Sequence, residues 1–347
     1  MTTQISSSGA VWQGQAPLLC LARREETPDS ASFEFAVPAG QRAVFLAGQF
    51  ISLAPVIDGA THYRAYSIAS APDRAQTLTL GIRRVDDGLV SNWLLDNLRA
   101  GMTLDALAPA GSFCLPPDEL PATLLLLSAG SGITPMLSMA RAALASHRAV
   151  EVYFVHSARS EDDLMFADAL QELAARHAHF HLELFLSRPV GRYACQAGRL
   201  DADRLGAVLP RIDGAHAYLC GQDGYMDMAT AALRTLGLPE AAIHRESFVA
   251  TASEVSADAM RYRLSVPSFG TEATIAAGES LLDVLEREGL PIIGACRTGV
   301  CGSCKCRVVD GEVESASQLP LSAQEIEDGF VLACSSHASG DVTLALG

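Results

Sequence analysis

Hydrophobic and polar positions follow three different rhythms along the chain. Up to about residue 117, short β-branched and aromatic runs at 32–37, 50–53, 64–68, 77–85 and 103–107 are cut by turn residues. Runs of this length and composition predict antiparallel strands, here a small barrel, with one helical stretch at 89–98 interrupting them. From 122 to about 248 the texture changes. Apolar strands predicted at 124–128, 150–156, 181–187 and 217–220 alternate with helices predicted at 135–146, 163–177 and 224–236, the pattern of a parallel, doubly wound sheet. Residues 251–260 are small and polar, a linker composition, and a compact strand-rich unit with one helix at 280–288 follows.

These rhythms divide the chain into a β-barrel domain at 1–118, an α/β domain at 119–250, a linker at 251–260 and an α+β domain at 261–347. A length of 347 residues agrees with two or three cores. The first fifteen residues have neither a basic start nor an apolar core, and no apolar run approaches ~18 residues, so no signal peptide or membrane span is expected and the cytoplasm is the expected location. A formal charge of -15 disfavours nucleic acid or an anionic membrane as a partner. The charge is uneven: residues 251–347 hold 6 Lys+Arg against 14 Asp+Glu, a disproportionate share of the excess. Such a surface would steer a partner with a basic docking patch.

Nine cysteines, an odd number, argue against a disulfide framework. Cys296, Cys301, Cys304 and Cys334 form C-x4-C-x2-C plus one distant cysteine, the spacing by which plant-type ferredoxins hold a 2Fe-2S cluster. Gly299 and Gly302 let the loop between them curl and aim its amides at cluster sulfurs. A zinc ribbon would show two C-x2-C pairs, and this segment has one. Cys306 lies on the same strand face as Cys304, but four thiolates complete the site, so it reads as a packing residue. Cys20, Cys114 and Cys195 stand alone.

Arg64-Ala65-Tyr66-Ser67 resembles the R-x-Y-[ST] motif of the ferredoxin-NAD(P)+ reductase superfamily. The resemblance implies that Arg64 binds flavin phosphate, that Tyr66 stacks on the isoalloxazine and that Ser67 hydrogen-bonds its polar edge, with Ala65 between them. About twenty residues on, Gly88-Leu89-Val90-Ser91 resembles the family's G-x-x-S element, whose helix N-terminus receives the flavin pyrophosphate. Gly88, Val90 and Ser91 therefore join the cofactor set, together with Arg83. The helix-opening element favours FAD over FMN, although proteins similar to phthalate dioxygenase reductase share the three-domain order and use FMN.

Ala129-Gly130-Ser131-Gly132-Ile133-Thr134-Pro135 follows a strand and opens a helix, an arrangement suited to a pyrophosphate. It lacks the third glycine of the Rossmann fingerprint and an acidic ribose partner. Its form is similar to the nicotinamide-domain motif of the same superfamily, which assigns Gly130, Gly132, Ile133, Thr134 and Pro135 to the nucleotide. Cys220-Gly221 matches the family's C-G segment, placing Cys220 near the nicotinamide. Glu246-Ser247-Phe248 resembles the E-x-F ending whose aromatic residue gates nicotinamide access. The resemblance thus implies Tyr66, Ser67, Cys220, Glu246 and Phe248 as the residues around the reacting rings. Arg188, in Ser187-Arg188-Pro189, could face a 2'-phosphate and favour NADPH, but NADH is the expected donor. The trio His177, His179 and His181 shows no carboxylate partner in sequence and reads as surface.

The run 295–305 and the stretches 321–326 and 329–335 are similar to the NADH oxidoreductases that serve hybrid-cluster protein, and also to reductase components of Rieske oxygenases. The resemblance implies electron flow from NADH through FAD and a 2Fe-2S cluster to a partner metalloprotein. Hybrid-cluster protein is the first expectation and a Rieske-type oxygenase or demethylase the second. A redox sensor that uses the cluster without turnover is the alternative of another class.

Overall fold

The structure, a computed structural model, describes residues 10–72, 76–146, 148–209, 212–248 and 259–346. All but the last two residues of the expected linker, 251–260, lie outside the described residues.

Six strands build the N-terminal sheet in the order Arg64–Ser67, Phe50–Leu53, Thr103–Ala110, Gln15–Thr27, Ser30–Ala36, Thr77–Arg83. A bridge between Ile68 and Leu80 joins its two edges and closes the barrel. The strand Gln15–Thr27 was not among the runs expected from sequence. Leu18 and Cys20 point into the core, but the polar series Arg23-Arg24-Glu25-Glu26 masks the second half of the strand. Phe33, Phe35, Ile51, Leu53, Leu78 and Leu80 are fully buried in the barrel with Leu94 of the helix Leu89–Asn97. Each such side chain contributes about 1.5–3 kcal/mol through burial.

The middle of the chain forms a six-stranded sheet in the order Gln196–Ala197, Phe180–Leu186, Glu151–Ala158, Thr123–Ala129, His216–Cys220, Ile243–Glu246. All its pairings are parallel. The central run Leu124-Leu125-Leu126-Leu127 is wholly buried because both faces are covered. Leu124 and Leu126 pack into the cluster that holds Met136 and Leu137 of the helix Ile133–Ala145; Leu125 and Leu127 meet Met226 and Leu233 of the helix Asp223–Thr235. The helix expected at 163–177 is broken. A 3-10 turn, Glu161–Asp163, is followed by the helix Ala167–Arg176, and between them Phe166 takes a left-handed conformation at φ 56 and ψ 26. A further helix, Ala202–Val208, is capped by the Asp201 side chain, which accepts the Arg204 N–H at 2.9 Å.

Most of the barrel and the parallel sheet belong to one compact unit. Ala47, Ala69, Phe113 and Leu115 of the barrel segment share a hydrophobic cluster with Met136 and Met139 of the next domain. The second unit contains the C-terminal domain, a five-stranded sheet in the order Thr271–Ala276, Arg261–Val266, Val342–Leu346, Lys305–Asp310, Phe330–Leu332. Its first and last chain segments, Arg261–Val266 and Val342–Leu346, pair in parallel while the rest of the sheet is antiparallel, and the helix Leu281–Arg287 packs on it, a β-grasp arrangement. Ser280 caps that helix by accepting the Asp283 N–H at 3.1 Å. Among the described residues, no helix is long and apolar enough to cross a membrane.

Candidate functional site

In the parallel sheet, strand Thr123–Ala129 runs into a 3-10 turn, Gly130–Gly132, and then into the helix Ile133–Ala145. No side chain caps this helix and its first turn holds no acidic residue, so its positive dipole end suits an anion. Pro135 costs no hydrogen bond because a first-turn amide has no partner within the helix. Thr134 Oγ1 donates to the Ser131 carbonyl at 3.1 Å, bracing the turn. A Cβ on Gly132 would lie 2.1 Å from the Cys220 carbonyl oxygen. Glycine at this position is thus required by the turn's crossing over the end of strand His216–Cys220, whatever binds there. That crossing brings Gly130, Gly132, Cys220 and Gly221 together.

Cys220 is fully buried, and burial, reinforced by the Glu246 carboxylate, raises its thiol well above the ordinary range. Its side chain is therefore a neutral thiol, not a thiolate. Glu246 stands opposite Cys220 in the strand register and also raises Cys114, whose thiol is held up mainly by burial. Tyr218 packs edge-on against Phe113 and is pushed up to about 12, first by burial. Phe248 is 47% exposed, so it is not a core residue.

On the strand Arg64–Ser67, alternation leaves Arg64 exposed and Tyr66 half-buried on one side, with Ser67 buried on the other. Tyr66 rests against the barrel core. Gly88 precedes the helix Leu89–Asn97, again with no capping side chain and no acidic residue in the first turn. Val90 packs into the core and Ser91 lies in the first turn, 8% exposed. These uncapped amides fit a second phosphate group. Arg83 ends the barrel strand Thr77–Arg83. Its guanidinium binds Asp29 at 2.8 Å and Asp163 at 3.1 Å, and Nη1 lies 3.6 Å from where a Gly130 Cβ would stand, next to the nucleotide turn.

In the C-terminal domain the loop 295–304 and Cys334 bring four thiols within hydrogen-bonding range. Cys296 meets Cys301 and Cys334, and Cys334 meets Cys304. Sharing protons this way holds the Cys296 thiol far below the ordinary range and raises Cys301 and Cys334. Gly299 and Gly302 have φ of 73 and 77, the turn conformation expected. The Thr298 amide already donates to Cys296 Sγ at 3.4 Å, and Ser303 Oγ lies 3.1 Å from Cys301 Sγ. Four converging soft donors with amide support fit an iron–sulfur cluster. Cys306 is fully buried in the domain core, its thiol pushed up to about 12 by burial, in agreement with a packing role.

Sequence reasoning missed several residues around these sites. His156 is wholly buried, accepts or donates at Nδ1 to Ser128 Oγ at 2.7 Å, and is pushed down to about 4 by burial and then by Arg83. Its only sequence signal is a polar residue in an apolar strand. Glu26, Phe166 and Asp163 gave none. The histidine trio lies toward the surface as read, but it has a carboxylate partner that sequence did not show: His179 and His181 bracket the Glu151 carboxylate at 2.6 and 2.8 Å, because parallel pairing aligns residues about thirty apart.

The barrel, the nucleotide turn and the cysteine loop together define a flavin- and iron–sulfur-dependent oxidoreductase. Family models agree, matching an oxidoreductase FAD-binding domain at 19–114, an oxidoreductase NAD-binding domain at 126–231 and a 2Fe-2S iron-sulfur cluster binding domain at 266–339. The chain is 32% identical over 352 residues to the glycine betaine monooxygenase reductase subunit of Pseudomonas aeruginosa, covering 95% of each chain. It is 33% identical over 301 residues to NADH oxidoreductase HCR of Escherichia coli, covering 87% of this chain and 89% of that one. Phthalate dioxygenase reductase superposes with a TM-score of 0.65 at 25% identity, over 96% of this chain and 98% of that one. The chain belongs to the ferredoxin-NAD(P)+ reductase superfamily, among the reductases that carry a C-terminal plant-type ferredoxin domain.

Proposed function

We propose that this reductase takes electrons from NADH and delivers them through FAD and a 2Fe-2S cluster held by Cys296, Cys301, Cys304 and Cys334 to a partner metalloprotein. The convergence of four thiols on one loop and one neighbouring turn is the observation that carries this reading. When bound, the flavin supplies the conversion between a two-electron hydride and single electrons, and the cluster supplies one-electron export. The protein's own residues bind and orient. Arg64 and the amides after Gly88 hold the flavin phosphates, with Val90 and Ser91 fixing the helix start. Tyr66 covers the ring and Ser67 meets its polar edge. Gly130, Gly132, Ile133, Thr134 and Pro135 seat the nucleotide pyrophosphate, and Gly221 leaves room beside it. Cys220, neutral and buried, and Glu246 line the nicotinamide end, with Phe248 exposed and free to cover it. Arg83 positions the nucleotide turn.

An oxygenase component is the first partner to test, because the relative that covers 95% of this chain is a monooxygenase reductase subunit. Hybrid-cluster protein, the first expectation from sequence, stands beside it on the similarity to NADH oxidoreductase HCR. None of the nine cysteines is joined in a disulfide, which suits the reducing cytoplasm as the site of action. Anaerobic titration with NADH, followed by addition of each purified partner, tests the reading. NADH should bleach the flavin, develop the paramagnetic signal of a reduced 2Fe-2S cluster and then reduce one partner in repeated turnovers. A protein that is reduced once and passes nothing on would be a sensor instead.

A further inference from the structure

A buried contact between the barrel and the parallel-sheet domain stands apart from every residue assigned to a ligand. Glu26, near the end of the strand Gln15–Thr27, has a side chain only 6% exposed. One of its oxygens accepts the Ser32 hydroxyl at 2.7 Å; the other accepts the backbone N–H of Phe166, 140 residues away, at 3.0 Å. A buried carboxylate that loses such a donor is left short of a partner, so the contact strongly favours the docked arrangement. Phe166 is itself held in the left-handed region, uncommon for a bulky residue, and is 5% exposed. Its ring occupies the slot left open by Gly81 on the barrel strand Thr77–Arg83. A Cβ on Gly81 would stand 2.7 Å from Phe166 Cε2, 2.8 Å from Thr134 Cγ2 and 3.0 Å from Met165 Cε.

Thr134 makes this contact consequential. It lies in the first turn of the helix Ile133–Ala145, whose N-terminus faces the nucleotide turn. The same helix is tied to the segment that follows the strand Arg64–Ser67: Ser138 Oγ donates to the Ser70 carbonyl at 2.7 Å, and Arg141 Nη1 to the Ala69 carbonyl at 2.8 Å. Two ion pairs also join the barrel to residues near Phe166, Arg24 with Asp168 at 2.5 Å and Arg83 with Asp163 at 3.1 Å.

We infer that Glu26, Gly81 and Phe166 form a latch that fixes the nucleotide-binding helix against the flavin barrel and so sets the separation across which hydride passes. They are positioning residues. The inference rests on the reading that the nucleotide pyrophosphate binds at the turn Gly130–Gly132. Hydride transfer needs the reacting atoms about 3–3.5 Å apart, and a displacement of about 1 Å can cost on the order of 100-fold in rate. Loosening the latch should therefore slow transfer without weakening the grip on the nucleotide.

The test is stopped-flow reduction of the flavin by NADH in the full-length holoprotein, read for both affinity and limiting rate. Gly81→Ala, which wedges the interface open, and Glu26→Leu, which removes the acceptor for the Phe166 amide, should each lower the limiting rate by about tenfold or more. Flavin content should be retained, the NADH dissociation constant should stay within about threefold, and the long-wavelength charge-transfer absorbance of stacked nicotinamide and flavin should weaken. Should Gly81→Ala fail to fold, Glu26→Leu alone decides. Limiting rates at the parent value, or a loss of affinity at an unchanged limiting rate, would overturn the latch. Ser131→Glu controls for the underlying reading by placing a carboxylate where the pyrophosphate should lie, at a helix end that tolerates negative charge. If it leaves NADH affinity unchanged, the nucleotide-site reading falls and the latch with it. If it weakens affinity tenfold or more while the latch variants reduce flavin normally, only the latch falls.

Discussion

The two compact units place their chemistry in different ways. In the first, the assigned residues are scattered from Tyr66 to Phe248, on strand ends and helix starts, and a hydrophobic cluster joins barrel residues such as Ala69 and Phe113 to Met136 and Met139. In the second, three of the four thiols lie within nine residues of chain, and the domain has a core of its own. Hydride transfer demands two rings in contact, which only a fixed scaffold provides. Electron export demands a cluster near a surface, which a short loop supplies.

The contrast is broken most severely at the cysteines. Serine at Cys296, Cys301 or Cys304 replaces a soft thiolate by a hard hydroxyl and should lower partner reduction by about 100-fold or more, while NADH-driven reduction of a small flavin-accepting dye stays within about twofold. Steady-state assays with both acceptors check this, and parallel loss of dye reduction would contradict the independence of the two units.

Acid should act on the first unit. His156 is neutral in the fold with a value pushed down to about 4, whereas in the unfolded chain it protonates near 6.5. The unfolded state therefore gains a proton first, and stability present above pH 6.5 is lost as pH falls toward 4, by about 3 kcal/mol. Urea midpoints at pH 7 and 4.5 should differ less in His156→Asn than in the parent.

Arg64→Ala should weaken flavin binding by roughly 1.5–3 kcal/mol, about one to two decades, through loss of a charge-assisted phosphate contact. Flavin fluorescence on dilution measures it, and undiminished occupancy would displace Arg64 from the site. Gly132→Ala should cost about 1–3 kcal/mol of stability, because its Cβ meets the Cys220 carbonyl. Chemical unfolding reads that effect; an unaltered midpoint would show that the crossing is looser than 2.1 Å implies.

What was legible in the sequence follows the same division. The cysteine loop was legible as a candidate cluster site, because three of its four thiols are local and their spacing is the message, and Cys306 fell on the packing side as expected. Outside the C-terminal domain the glycine turn and the strand Arg64–Ser67 were legible as local patterns. The strand Gln15–Thr27 was hidden by its four charged residues, and the break at Phe166 by an otherwise helical rhythm. Glu26 with Phe166 and Glu151 with His181 were invisible because the pairings join residues 140 and 30 apart in the chain. The reason for Gly132 was only half legible: its glycine could be tied to a close approach, but not to the approach of Cys220.

The most direct measurement compares Cys334→Ser with Cys306→Ser by electron paramagnetic resonance after anaerobic reduction with NADH. Cys334 is remote in sequence yet meets Cys296 and Cys304, whereas Cys306 is two residues from Cys304 and points into the core. The expected result is loss or gross alteration of the reduced 2Fe-2S signal in Cys334→Ser and a parent-like signal in Cys306→Ser. An unaltered signal in Cys334→Ser, or its disappearance in Cys306→Ser, would contradict the assignment of the cluster ligands.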